Sequence, residues 1–306
     1  LLVVIRLIQG FSLGGEFTGS MVYTTELAPT KLRGFVSSST AAGTTIGFIL
    51  GSASAALISS TLSPEPWAWR IPFIASILFC VAGWLLRRGI KESEEGEKAA
   101  AAVRPPLWAS LAADWLPMVR TFGIVAMTNA AYYLAFTFAV ERRKVGAGAD
   151  ASTFQWVNTI SLVVVLVSKP LGGWLSDRVG RRRLMMALTV VAMALIYFAL
   201  HMMLYGAPME FMLGLFLLGV PLGMALGLQG AMVVEIFPLR TRVTSMSFAY
   251  SVTLMLSGGI APFVATWLVD SLSHPMAPAY FVMLYGIVGL ALMRPMGETN
   301  TRPLDA

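Results

Sequence analysis

Nine apolar stretches dominate this chain, at roughly residues 2–24, 35–60, 70–88, 118–140, 154–175, 184–204, 209–232, 245–269 and 277–294. About 20 apolar residues in helical form cross the hydrocarbon core of a bilayer, and each stretch approaches that length. The chain therefore reads as a stack of membrane-spanning helices joined by short loops, an all-α membrane protein. Gly, Ser and Thr are frequent inside the stretches, as close helix packing in lipid favours. Charged residues are 12% of the chain and mean hydropathy is +0.73. Soluble domains carry about 25% charged residues, so an ordinary soluble enzyme is excluded.

A duplication constrains the stack further. Glu26-Leu-Ala-Pro29-Thr-Lys-Leu-Arg33 reads Glu-x-x-Pro-x-x-x-Arg, and Glu235-Ile-Phe-Pro238-Leu-Arg-Thr-Arg242 reads the same, 209 residues later. The same offset carries Gly10 onto Gly219 and Gly14 onto Gly223. Two similar halves are a common plan for membrane transporters. On this offset the loop around Asp177 has its partner about 32 positions before Leu1. The chain begins inside an apolar run without Met. The expectation is a chain lacking the first three helices of twelve, so that the nine spans are helices four to twelve. Residues 1–90 are then a partial first bundle (helices four to six), 91–117 a linker, and 118–306 a six-helix second bundle.

The basic residues orient the stack. One alternate set of loops holds Lys31, Arg33, Arg87, Arg88, Lys91, Lys98, Arg104, Arg120, Arg178, Arg181, Arg182, Arg183, Arg240, Arg242, Arg294 and Arg302. The opposite set holds only Arg70, Arg142, Arg143 and Lys144, while Arg6 and Lys169 lie within or at the edge of spans. The richer set should face the cytoplasm, which puts the C-terminus inside. The net charge of +6 is thus a topology signal, and no nucleic-acid partner is expected. The Arg142-Arg143-Lys144 cluster breaks the bias, and an external anion-attracting mouth is the one account open to it. The linker is rich in Glu, Lys and Ala and contains Pro105-Pro106. Within it, Leu107 to Leu116 fits both a helix in the membrane interface and an irregular connection. Cys80 is the sole cysteine, which removes an intrachain disulfide and a cysteine-based zinc site. His201 and His274 are far apart without a carboxylate cluster, so neither a metal site nor a nucleophile–base pair is in view, and the chain is not expected to be an enzyme.

Gly173-Trp-Leu-Ser-Asp177-Arg178-Val-Gly180-Arg181-Arg182-Arg183 joins two spans on the basic side. Its glycines allow a tight turn and close helix approach. Asp177 is suited to accept hydrogen bonds from arginines and from free N–H groups at a helix start. By the pseudo-symmetry it should face the start of the helix after Arg33. This run resembles the loop signature of the major facilitator superfamily, Gly-x-x-x-Asp-Arg-x-Gly-x-Arg-Arg, at every defined position. The resemblance implies a major facilitator fold and a latch that holds the inner side closed, built from Gly173, Asp177, Arg178, Gly180, Arg181 and Arg182. The duplicated Glu26, Arg33, Glu235 and Arg242 lie at the same end and are assigned to it.

Gln9, Ser12, Glu16, Gly19 and Tyr23 fall on one helical face. Glu16 is the one carboxylate deep in a span, where a charge costs roughly 2.5–3.5 kcal/mol on insertion scales. It is the first candidate for proton coupling, against a structural role bonding neighbouring helices. Arg6-x-x-Gln9-Gly10 resembles the superfamily's fourth-helix motif, which associates Arg6 with proton coupling. Gly14-Gly15-Glu16-Phe17 with Glu26-Leu-Ala-Pro-Thr-Lys-Leu-Arg-Gly resembles the metabolite:proton symporter branch, and Trp69-Arg70-Ile-Pro-Phe fits both that branch and the sugar porters. Gly297-Glu298-Thr-Asn-Thr-Arg302-Pro-Leu resembles the ending of bacterial proline/glycine betaine transporters. Gly43, Gly47 and Gly51 lack the Gly-Pro pair usual in drug antiporters, which favours symport, and packing is the expected reason for them.

The resemblance implies a secondary transporter in a bacterial inner membrane, working by alternating access with the proton as coupling ion and no other cofactor. Its partners would be a small substrate and the lipid bilayer, with the oligomeric state open. A zwitterion needs an aromatic face for its ammonium and a donor for its carboxylate. The candidates for substrate contact are Gln9, Asn129, Tyr132, Tyr133, Phe136, Trp156 and Tyr250, with packing aromatics as the competing reading. Proline or glycine betaine is the favoured substrate and an organic acid such as 2-oxoglutarate or citrate the alternative. A non-transporting sensor of the same fold is the alternative of another class.

Overall fold

The computed structural model describes residues 15–61, 67–88, 106–147, 151–300 and 304, and every regular element among them is helical. In chain order these are α1 (15–26), α2 (Arg33–Thr61), α3 (Ile71–Arg87), α4 (Leu107–Ala113), α5 (Trp115–Val145), α6 (Ala151–Val179), α7 (Arg181–Tyr205), α8 (Pro208–Val234), α9 (Arg242–Leu272) and α10 (Ala277–Met293). Six of the described helices are long and apolar enough to cross a bilayer, and α3 and α10 are shorter apolar helices. Most of the expected first span lies outside the described residues. Leu107–Ala113 is a short helix with Trp108 77% exposed, so the first part of the Leu107–Leu116 stretch is helical and no irregular run connects it to α5.

The spans follow the apolar runs because a helix bonds its own backbone internally, the requirement lipid imposes. Their outer faces stay apolar where no protein covers them: Phe73, Ile74, Leu78, Phe79 and Leu86 of α3 are all exposed. α5 is the most enclosed span, with 89% of its apolar window buried. It is interrupted by a π-helical turn at Leu134–Phe138, and α9 by another at Met255–Gly259. Such turns insert an extra residue into the helix and often mark functional positions. Here the two face each other, with Tyr133 of α5 lying against Gly258 of α9.

α6 is the axis on which the two halves meet. On one side α8 leans on it through Gly223 and Gly227, where a Cβ would strike the backbone of Val165 and Lys169. On the other side α2 runs antiparallel to it, tied at three levels. Gly34 meets Asp177, Ala41 and Thr45 meet Lys169, and Ser52 meets Thr159 and Gln155. At 1.5 Å per residue, the Lys169 level lies about 12 Å from the Asp177 level and about 15 Å from the Thr159 level. Lys169 therefore sits near the middle of a hydrocarbon layer about 30 Å thick.

Among the described residues Gly43, Gly47 and Gly51 have no packing partner at their Cβ positions. No described atom lies within 4 Å of where their Cβ atoms would be, and Gly47 and Gly51 line a cavity instead. The Arg142-Arg143-Lys144 cluster also has a local cause. Arg143 donates to the carbonyls of Leu204 and Gly206 at 3.0 and 2.6 Å and lies over the Phe154 ring. It caps the C-terminal end of α7, where carbonyls lack helical partners and a cation is favoured. Lys144 pairs with Glu141.

Candidate functional site

At one end of the bundle α6 stops and α7 begins across a single residue. Gly180 has φ +106, a conformation that L side chains rarely adopt, so glycine is required there. Asp177, one turn earlier, accepts the backbone N–H groups of Gly34 and Phe35 at 2.8 and 2.9 Å. Those are free donors at the start of α2, where the helix dipole also favours an anion. Contact this close needs two glycines: a Cβ on Gly34 or on Gly173 would collide with the other's carbonyl.

Arg181 is fully buried behind this contact. Its Nε and Nη2 donate to Glu235 Oε2 and Oε1 at 2.5 and 2.8 Å, and its Nη1 to Asp177 Oδ1 at 3.0 Å. Across the same end, Arg242 Nη1 reaches Glu26 Oε1 at 3.0 Å, Nη2 donates to Leu304 O and Nε to Phe237 O. On the division expected from the duplication, Glu26 and Gly34 fall in the first half and Asp177 and Arg242 in the second. Two separate ties thus join these segments at this end, each charge-assisted and at least partly buried, apart from the exposed Phe35 N–H bond. Arg33 is buried here as well. Arg178 is exposed and stacks over Trp174.

Arg182 and Glu298 form a third clasp within the second half. Arg182 donates to the carbonyls of Met293 and Arg294 at the end of α10. Glu298 accepts the N–H groups of Arg182 and Arg183 at 3.1 and 3.2 Å, at the start of α7. This gives the Gly297-Glu298 ending a physical role as a cap. Glu298→Gln is expected to lower stability by about 0.3–1 kcal/mol, the range for one carboxylate at a helix start, read as a small drop in thermal midpoint in detergent.

Between the Asp177 level and the Ser52 level lies a cavity of about 450 Å³, within the range of small-molecule sites. Phe17, Thr18 and Met21 of α1 and Ser37, Ala41, Thr44 and Phe48 of α2 line one side. Asn129, Tyr132 and Tyr133 of α5, Lys169 of α6, Gln229 of α8 and Tyr250 of α9 line the other. Both halves therefore contribute. Tyr250 accepts from Gln229 Nε2 at 2.8 Å and faces Phe17 at 5.7 Å between ring centres. Phe48, Tyr132 and Tyr133 also border a second cavity of about 310 Å³. Tyr132 stacks on Phe136 at 4.9 Å and lies 6.0 Å from Phe48, so these rings stand between the two spaces.

The structure brings Asn129, Tyr132, Tyr133 and Tyr250 together on the first cavity and places Phe136 on the second. Trp156 lines neither and is 39% exposed. Its neighbours Gln155 and Asn158 turn toward Ser52, and a residue one step along a helix points about 100° away. Glu16 is exposed on α1 and is not among the residues lining either cavity. Arg6 and Gln9 lie outside the described residues.

Lys169 is the residue that sequence reasoning passed over. The sequence puts it within or at the edge of a span, yet it is 4% exposed, near the midplane and on the cavity wall. Its amine donates to Ala41 O at 2.6 Å and to Thr45 Oγ1. Both acceptors are neutral, and no described carboxylate lies within ion-pair reach. A charge at this depth costs roughly 2.5–3.5 kcal/mol on insertion scales. The available signal was a basic residue inside an apolar run, ahead of Pro170.

The family model described as Major Facilitator Superfamily matches residues 124–304, and that described as Sugar (and other) transporter matches 1–104. The chain is 28% identical over 99% of its length to the proline/betaine transporter of Salmonella typhimurium (strain LT2), and spans 64% of that relative. It is 32% identical to the citrate-proton symporter of Klebsiella pneumoniae, covering 95% of this chain and 67% of that protein. It is 31% identical to the inner membrane metabolite transport protein YhjE of Escherichia coli (strain K12), covering 96% and 69%. Among solved structures, the proton:xylose symporter XylE bound to 6-bromo-6-deoxy-D-glucose superposes with a TM-score of 0.67 at 16% identity, covering 93% of this chain and 68% of XylE.

Proposed function

The chain belongs to the major facilitator superfamily, and we propose that the full-length protein is a proton-coupled symporter of a small zwitterion of the proline or glycine betaine kind. It works by alternating access in a bacterial inner membrane, with its C-terminus in the cytoplasm. The observation that carries this reading is the midplane cavity lined from both halves, with the charged ties between those halves at one end. A rocking pair of bundles needs both: a shared site, and an interface that is stable in one arrangement and breakable in the other.

In this reading the Asp177–Gly34 and Arg242–Glu26 ties are the inner latch, with Arg181, Glu235 and Arg33 as its buried support. Gly173 and Gly180 supply its geometry, and Arg178 and Arg182 hold its loop. Substrate lies among Tyr132, Tyr133, Tyr250 and Asn129, with Phe136 beside the aromatic partition. Gln9 is kept as a contact by sequence alone. The aromatic rings favour an organic ammonium. The amine of Lys169 also supports the second reading, an organic acid, as the citrate-proton relative carries by its name.

Coupling is assigned to Glu16 and Arg6. Protonation of Glu16 removes a charge from the moving half and is one of the events that permits reorientation. The Glu16→Gln protein in proteoliposomes is expected to lose uphill accumulation driven by a proton gradient while substrate exchange at equal proton concentration persists. Unchanged accumulation removes Glu16 from coupling. Substrate-dependent proton flux by the full-length protein separates the transporter from a sensor of the same fold: a sensor binds and moves no protons.

A further inference from the structure

We propose that Lys169 is the carboxylate anchor of the cavity, so that the substrate carries a carboxylate whether its other end is an ammonium or a second acid. This rests on the transporter reading and names the recognition element of its site.

Three observations converge. First, the Lys169 side chain is buried, lines the cavity and holds its amine between Ala41 O and Thr45 Oγ1. An ammonium has three donors, and the two acceptors present use two of them. The third donor, and the whole charge, have no anionic partner among the described residues. Buried charges are kept where something pairs with them, and a carboxylate entering the cavity is that partner. Second, the buried amide oxygen of Gln229 on the same cavity wall also lacks a hydrogen-bond partner. It is suited to accept from a ligand N–H or O–H. Third, the aromatic rings of Phe48, Tyr132 and Tyr133 line this cavity too. They offer π faces to a cationic end and apolar surface to a carbon skeleton.

The anchor also bears on motion. Lys169 belongs to the second half, and both of its neutral acceptors belong to α2 of the first. A carboxylate on the free third donor shares the amine with the tie between α2 and α6 at this level, while the Asp177 tie is formed elsewhere. Substrate binding therefore acts on one contact between the halves directly, through the same amine that recognises it.

The test uses the full-length protein in proteoliposomes with glycine betaine and citrate as probes, each beside an analogue in which carboxylate is replaced by primary amide. In the wild-type protein the carboxylate form of the transported probe is expected to compete at least ten-fold better than its amide. Lys169→Gln is expected to raise the half-saturating concentration of the carboxylate by about 10–100-fold, the range for a charged hydrogen bond, and leave the amide nearly unchanged. Lys169→Arg should restore part of the loss. Preference for glycine betaine identifies a zwitterion, and preference for citrate an organic acid; the anchor holds in either case. Equal competition by carboxylate and amide in the wild type overturns the anchor even if Lys169→Gln does not fold. So does a folded Lys169→Gln protein with unchanged carboxylate affinity. If the wild-type protein transports neither carboxylate nor any competitor, the transporter reading itself fails, which is a separate outcome.

Discussion

Glu235→Ala is expected to destabilise the fold by about 3–5 kcal/mol, the cost of stripping one partner from a buried ion pair. Arg181 is fully buried and Glu235 holds it through two parallel N–H···O bonds of 2.5 and 2.8 Å. Removing the carboxylate leaves a guanidinium in the bundle interior with Asp177 as its remaining carboxylate partner. The loss should appear as a large fall in the detergent unfolding midpoint. Glu235→Gln keeps an acceptor and should fall less. Glu210→Ala is the control: Glu210 is exposed, bonds only the N–H of Ala207 at a helix start, and should change the midpoint slightly. The double change Arg181→Met with Glu235→Leu should recover much of the loss, because an apolar pair of similar volume removes the unpaired charge. A Glu235→Ala protein as stable as the Glu210→Ala control would mean that this pair does not hold the end of the bundle together.

How much of this was legible in the sequence follows the range over which each contact acts. The helices were readable because hydropathy is local and lipid leaves the backbone one solution. Asp177 could be aimed at the start of α2 because the duplication supplied a symmetry: the equivalent positions mark a contact between halves without any coordinates. Its closeness, which depends on Gly34 meeting Gly173, was implied by the glycines of the loop and not by those of Gly43, Gly47 and Gly51. Those three have the same spacing as a packing stripe, yet no described atom lies against them, and Gly47 and Gly51 border a cavity. A periodic pattern reports a face of the helix and not what lies opposite it.

The cavity was legible by helix and not by residue. Tyr132 and Tyr133 are neighbours on α5 and both reach it, while Trp156, equally aromatic, points outward. Its direction depends on the rotation of α6, which the bond from Gln155 to Ser52 of α2 fixes. Lys169 was missed for a related reason. The apolar run ends at about residue 175, so a lysine at 169 reads as within or at the edge of a span. The helix continues to Val179, so Lys169 lies deeper in it than the end of the apolar run suggests. The capping of α7 by Arg143 joins groups more than 60 residues apart with no repeat between them, so nothing in the local pattern announced it.

Asp177→Asn is expected to open the latch rather than unfold the protein. The carboxylate accepts from two backbone N–H groups of α2 and from Arg181. The asparagine amide fills the same space, but its NH₂ faces one of those donors and its charge is gone. Hydrogen bonds to charged groups contribute about 1.5–3 kcal/mol each, and 1.4 kcal/mol is a factor of ten in a population. Losing one such bond and weakening another should move the balance between inner-closed and inner-open forms by ten-fold or more. The readout is access to the cavity. Ser37 is buried on its wall at the latch side, so Ser37→Cys in a Cys80→Ser background places one thiol there; the replacement is needed because Cys80 is exposed. In inverted vesicles a membrane-impermeant thiol reagent should label Cys at this position at least ten-fold faster once Asp177→Asn is added. Glu26→Gln, which loosens the second tie to Arg242, should raise labelling too, and the two changes should add less than fully because either broken tie already frees the halves at that end. Ser52→Ala, at the far level of the α2–α6 contact, should leave inner access unchanged. Labelling that stays slow in Asp177→Asn, with unfolding midpoint intact, would show that the aspartate contact is a passive joint and that the inner side is closed by something else.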